Sequence, residues 1–155
     1  MRLRGGGDLR KHNRSVLAPT VLLVLIAAIG LRAATAATAA YTIVAGGPPV
    51  TVTIAVSGDD AAVSFEGTAG QRVSLALSNV TIGTSTCCST KISILKPDGT
   101  TLVAPMNVGT NGGFIDATTL PVNGSYKIFV DPQGTATGGM TLTLYDVPAD
   151  LSGTI

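Results

Sequence analysis

Two adjacent cysteines, two adjacent aspartates and one out-of-register tyrosine are the side chains whose types and spacing could carry chemistry or contact in this chain. Cys87-Cys88 lies in the polar run Thr84–Thr90. Neighbouring cysteines bridge only through an eight-membered ring that distorts the peptide between them, and such a bond is more reducible than an ordinary one. Two cysteines in an exported protein usually make one disulfide. Three arrangements stay open: a vicinal disulfide stiffening the loop, unpaired thiols, or bridges to another chain. Two thiolates alone do not make a metal site.

Asp59-Asp60 shares one turn, with Asp98, Asp116 and Asp131 in or near others. Calcium takes about six to eight oxygens, often loop carboxylates and carbonyls, so Asp59 and Asp60 are weak calcium candidates and no metal site is assigned. No D-x-D-x-D-G loop is present, and the preferred reading is that these carboxylates cap and solvate turns. No cofactor is expected beyond that calcium candidate. Tyr145 falls on the opposite parity to Leu142 and Leu144, which makes it the candidate for surface contact. Tyr126 shares parity with Ile128 and Val130 and reads as a packed tyrosine with a bonded hydroxyl.

Much chemistry is excluded. The one histidine, His12, lies near the N-terminus. With the leader removed, no imidazole is left for Ser-His-Asp or Cys-His catalysis or for a histidine zinc site. No G-x-S-x-G, P-loop or H-E-x-x-H occurs. No catalytic residue is expected, and the chain does not read as an enzyme. The net charge of +1 conceals a segregation: six of the ten basic residues fall within residues 1–32. The body then holds four basic against eight acidic residues, a net −4. A mildly acidic body with scattered cations has no footprint for nucleic acid.

Residues 1–14 are basic, 16–31 apolar and 33–40 read AATAATAA. A basic n-region, a short h-region and small residues at −3 and −1 describe a helical signal peptide spanning residues 1–39. Ala34/Ala36 and Ala37/Ala39 are both acceptable pairs, so cleavage is expected after Ala36 or Ala39. The dense apolar run, about 11 residues, falls short of the roughly 20 a spanning helix needs. Membrane contact is expected only through an uncleaved leader, and the location is secreted or cell surface.

Nine short segments after the leader alternate apolar and polar residues, the signature of strands with one buried and one wet face. They are Tyr41–Ala45, Val50–Val56, Ala61–Glu66, Arg72–Ser78, Lys91–Leu95, Thr101–Ala104, Phe114–Ala117, Tyr126–Val130 and Met140–Tyr145. Turn residues close them; Pro97-Asp98-Gly99 supplies a fixed φ and then a glycine for positive φ. Turns every 8–12 residues predict an all-β, antiparallel sandwich or jelly roll over residues 50–148. Residues 40–49 form a leading strand and a Gly-Gly-Pro-Pro hinge. Parity places Val52, Ile54, Val56, Val63, Phe65, Val73, Leu75, Leu77, Ile92, Ile94, Tyr126, Ile128, Val130, Leu142 and Leu144 in the core.

Four segments, Phe65–Val73, Ile94–Thr100, Leu120–Tyr126 and Thr141–Leu144, follow one another in the order seen in bacterial pre-peptidase C-terminal domains. The chain resembles that family over about Val50–Val147, in particular modules that occur in tandem in large secreted actinobacterial proteins. The resemblance implies a jelly-roll β-sandwich, usually non-catalytic, whose members include binders of calcium, collagen or polysaccharide. Calcium-binding members gather acidic ligands near the start of the domain, where this chain has only Asp59-Asp60. No catalytic domain accompanies the module here. In a tandem protein the tail, residues 149–155, is where a further repeat would begin.

The sequence therefore predicts an exported, non-catalytic module for surface presentation, adhesion or accessory binding, with an extracellular polymer or protein as partner. One alternative is a carbohydrate- or protein-binding domain with calcium support, favoured by an exposed aromatic row or a calcium cluster on one sheet. The other is a structural subunit that donates its leading strand to a neighbour.

Overall fold

The computed structural model describes residues 36–149. The n- and h-regions of the leader and the tail from residue 150 lie outside the described residues, and with them the helical signal peptide and the repeat boundary. Nine strands follow: β1 Thr38–Thr42, β2 Val50–Ile54, β3 Asp60–Gly67, β4 Arg72–Ser78, β5 Thr90–Leu95, β6 Thr101–Val108, β7 Gly113–Thr119, β8 Gly124–Pro132 and β9 Gly138–Val147. Among the described residues every element is a strand.

They form a four-stranded sheet, β2-β9-β4-β7, and a five-stranded sheet, β1-β3-β8-β5-β6. Without β1, the two orders are those of a jelly roll, in which strands cross between two sheets so that each inner face covers the other. All pairs are antiparallel except β1 with β3, which run parallel from Thr38↔Asp60 to Thr42↔Ser64. The leading strand thus pairs within its own chain. Its hinge is fastened as well: the Gly46 amide donates to the Leu144 carbonyl at 2.8 Å.

Alternation makes the core. In β4, Val73, Leu75 and Leu77 point inward and are buried. They meet Ile92, Ile94, Ile128 and Val130 of the other sheet in one apolar cluster. Each such side chain contributes roughly 1.5–3 kcal/mol on burial. Tyr126 is fully buried, stacks on Phe65 with ring centroids 5.4 Å apart, and donates its hydroxyl to the Val122 carbonyl at 2.7 Å. The Val122 amide donates back to that hydroxyl at 3.2 Å, so the ring enters the core without stranding a polar atom.

Three expectations need correction. The first strand is Thr38–Thr42 and not Tyr41–Ala45, because the alanine-rich run that reads as leader supplies its opening rungs. Val56 is 56% exposed: β2 stops at Ile54, and Val56 belongs to the turn in which its carbonyl accepts from the Asp59 amide. Strand β6 runs through Pro105 to Val108, since it lies at the edge of its sheet, where a proline need not donate to a neighbour. Parity also missed Val80 and Ile82, which are buried outside any strand.

Candidate functional site

The outer face of the four-stranded sheet is built by the alternate positions of the strands whose inner positions make the core. Its rungs follow from the register. Tyr145 pairs with Ser74, and Thr143 with Ala76, which on its other side pairs with Phe114. The next rung joins Ser78, Thr141 and Thr51. These positions carry hydroxyls, one methyl and two aromatic rings; the charges nearest them are Asp116, two residues along β7 from Phe114, and Arg72, two residues along β4 from Ser74. Phe114 is 52% and Tyr145 46% exposed. With strands about 4.8 Å apart and residues rising about 3.4 Å each, the two rings stand about 10 Å apart across β4 and about 7 Å apart along it. Only Ser74 and Ala76 lie between them, so the strip is low at its centre with an aromatic ring on each side.

The strip continues past the end of β4. The Thr81 amide donates to the Gly139 carbonyl at 2.7 Å, and the Gly83 amide to the Thr137 carbonyl at 3.1 Å. Val80 and Ile82 point inward, so Thr81 faces outward by alternation. Beyond it opens a cleft of about 560 Å³, lined by Thr81, Thr84, Ser85, Ser89, Gln133 and Thr137 among others. Gly138 makes this junction possible: its φ is +135° and a Cβ there would strike the Thr81 carbonyl.

The loop bounding the cleft holds the two cysteines. Cys87 and Cys88 are joined in a disulfide. Ser85 organises the loop: its Oγ accepts from the Cys87 amide at 3.4 Å and the Cys88 amide at 3.3 Å. Ser89 closes it, its Oγ accepting from the Ser85 amide at 3.1 Å. Gly109 packs directly beneath, where a Cβ would overlap the backbone of Ser85–Cys87.

Asp59 and Asp60 lie elsewhere, at the start of β3. Asp59 Oδ1 accepts from the Ala37 amide at 2.9 Å, and the Asp60 amide donates to the Ala37 carbonyl at 2.9 Å. Asp60 is held above the usual carboxylate range, first by partial burial and then by the charges of Asp131 and Asp59. Among the described residues no three histidine, cysteine, aspartate or glutamate side chains converge as a metal site would require. The other carboxylate that stands out, Asp98, is held low: the Thr100 hydroxyl donates to it at 2.7 Å and the Thr100 amide at 2.8 Å.

Sequence reasoning found Tyr145 but missed Phe114 as its companion, because Phe114 opens a short strand of weak alternation. The signal was present in Ile115, whose inward parity turns Phe114 out.

No protein-family model and no curated protein matches the chain. Among solved structures it is similar to the pre-peptidase C-terminal domain of a collagenase from Bacillus anthracis. That match has a TM-score of 0.50 and 10% identity, covering 71% of this chain and 98% of that one. The fold is that of a pre-peptidase C-terminal domain. A second match is PliG of Aeromonas hydrophila, a periplasmic inhibitor of g-type lysozyme. It has a TM-score of 0.45 and 15% identity, covering 70% of this chain and 99% of that one.

Proposed function

We propose that this chain is an exported, non-catalytic binding module that lays an extended, neutral polysaccharide across the outer face of its four-stranded sheet. The observation that carries the reading is the placement of Phe114 and Tyr145 on one wet face, flanking Ser74 and Ala76. Sugar rings present apolar faces that stack on aromatic rings, and their hydroxyls exchange hydrogen bonds with threonine and serine. A strip whose contact positions are rings and hydroxyls suits a neutral polymer, and the carboxylate of Asp116 beside Phe114 opposes an anionic one. The cleft beyond Thr81 prolongs the strip, so that from Thr137 to Tyr145 it follows β9 for roughly 27 Å at about 3.4 Å per residue. The export component rests on the leader pattern of residues 1–39.

The test is co-sedimentation of the secreted protein with insoluble neutral and anionic polysaccharides, cell-wall material and collagen, with and without calcium. Retention on a neutral polysaccharide, unchanged by calcium, is the expected result. Phe114→Ala and Tyr145→Ala should each weaken it about tenfold, the effect of losing about 1.4 kcal/mol of contact. Retention on collagen alone, or retention indifferent to both substitutions, would overturn the reading.

A further inference from the structure

We infer that the leader is removed after Ala36, and that the α-ammonium thereby created on Ala37 docks onto the carboxylate of Asp59. The two sites the alanine-rich run offers are not equivalent once the fold is known. Cleavage after Ala39 would cut inside β1, deleting the Thr38↔Asp60 and Ala39↔Ala61 rungs of the parallel ladder. It would also remove Ala39, which packs against the core, and the hydrogen bond from the Asp60 amide to the Ala37 carbonyl. Cleavage after Ala36 deletes none of these.

It also changes the chemistry at the new end. The Ala37 nitrogen already stands 2.9 Å from Asp59 Oδ1 as a neutral amide donor. Hydrolysis of the Ala36–Ala37 peptide adds one water, giving a carboxylate on the departing leader and an amine on Ala37. That amine takes up a proton at neutral pH, since an α-amino group ordinarily titrates near about 7.7–8.0. A neutral hydrogen bond thus becomes an ion pair without movement of the chain. The charge arrives beside a crowded carboxylate: partial burial and the charges of Asp131 and Asp59 all oppose the ionisation of Asp60. On the same outer face Lys91 is the cross-strand partner of Asp131 on its far side, and Lys127 lies four residues back along β8. The pair of aspartates that reads in sequence as a weak calcium site is therefore a receptor for the chain's own processed terminus. This inference rests on the export component of the polysaccharide reading but on residues remote from the outer strip, so a terminus at Ala40 would leave the polysaccharide contact untouched, whereas a retained leader would count against export as well.

The experiment uses the full precursor, expressed in a secretion-competent bacterial host, with the product read by intact mass and N-terminal sequencing. A terminus at Ala37 is expected; a terminus at Ala40, or a retained leader, would overturn the inference. The docking is tested separately on the secreted protein labelled with carbon-13 alanine, by titrating the Ala37 methyl resonance. Pairing should raise the α-amine above about 8, and Asp59→Asn should return it to about 7.7–8.0. Equal values in the two proteins would overturn the docking. The sign in stability follows. A folded-state pKa raised above its unfolded value contributes stability in full below about pH 7.7, lost as pH rises through the folded value. The melting difference between wild type and Asp59→Asn should accordingly shrink above that value; a difference independent of alkaline pH would argue against the ion pair.

Discussion

The two sheets present the same kind of surface to each other and different kinds to water. Inward, both are aliphatic: Leu75, Leu142 and Leu144 from one meet Ile92, Ile94 and Ile128 from the other. Outward, the five-stranded sheet carries Asp60, Glu66, Lys91, Lys127 and Asp131 on its alternate positions. The middle of the four-stranded sheet carries threonine, serine, alanine and two exposed aromatic rings. Solubility alone accounts for the first surface, since interspersed charges of both signs keep a sheet face wet. It does not account for the second, where two half-exposed rings flank small residues and the nearby charges, Asp116 and Arg72, lie to the side of that strip. The difference teaches that one outer face is free to be ordinary and the other is not.

The largest effect should come from treating the inner faces as equals. Leu75→Asp and Ile94→Asp each put an unpaired carboxylate into the shared core, at positions that are 0% and 1% exposed. Both should lose more than about 4 kcal/mol and the cooperative unfolding transition with it. Thermal melts followed by circular dichroism would show this. A fold that survived one substitution and not the other would mean that the sheets do not share one core.

That equivalence was legible in the sequence because a period of two leaves no choice of face: Leu75 inward commits Ser74 and Ala76 outward. What stayed hidden is whatever depends on pairing between distant segments. Val80 and Ile82 are buried because Thr81 and Gly83 hydrogen-bond to residues near 138, a partnership no local pattern announces. The start of β1 was concealed by composition, as Ala39 and Ala40 satisfy a signal peptidase and a sheet ladder alike. The aromatic pair was half legible. Tyr145 declares its own parity, but that Phe114 shares its face follows only from the β4 register, which carries one rung from β9 to β7.

The second prediction attacks the outer difference directly. Ala76→Lys inserts a charge between the two rings; Ala62→Lys inserts the same charge on the outer face of the five-stranded sheet. Neither site lies in the core, so both proteins should fold with stability changes within about 0.5 kcal/mol. Retention on the neutral polysaccharide should fall about a hundredfold in Ala76→Lys, equivalent to about 2.7 kcal/mol, and not at all in Ala62→Lys. Equal losses would show that the two outer faces are interchangeable and that the aromatic strip is not the contact surface.

A smaller effect tests the inner face at its buried tyrosine. Tyr126→Phe keeps the stack on Phe65 but leaves the Val122 amide and carbonyl without the hydroxyl that serves both. The expected loss is about 1–2 kcal/mol, the range for removing a buried partner, read as a shift in the urea midpoint with unchanged slope. Binding should be unaffected, since the hydroxyl lies beneath the opposite sheet from the strip. A fall in binding would tie that sheet to the contact surface.

The smallest effects belong to two carboxylates of the five-stranded sheet, and they should have opposite signs. Asp98 titrates below 3.8 because Thr100 donates to its charged form. Its contribution is present above the unfolded value and lost as pH falls through the lower folded one. Asp98→Ala should therefore melt below wild type at pH 7, and the gap should close at pH values under 3.8. Asp60 titrates above 3.8 because burial, Asp131 and Asp59 oppose its charge. Ionisation there costs stability, a penalty felt at neutral pH and relieved as pH falls through the raised value. Asp60→Asn should melt above wild type at pH 7, with the gain vanishing in acid. That gain also reports on the terminus. An α-ammonium on Ala37 would offset the repulsion between Asp59 and Asp60, so the gain should be larger in the uncleaved precursor than in the secreted protein. If the two forms gained equally, the charge created by cleavage would not reach the aspartates, whatever residue the mature chain began with.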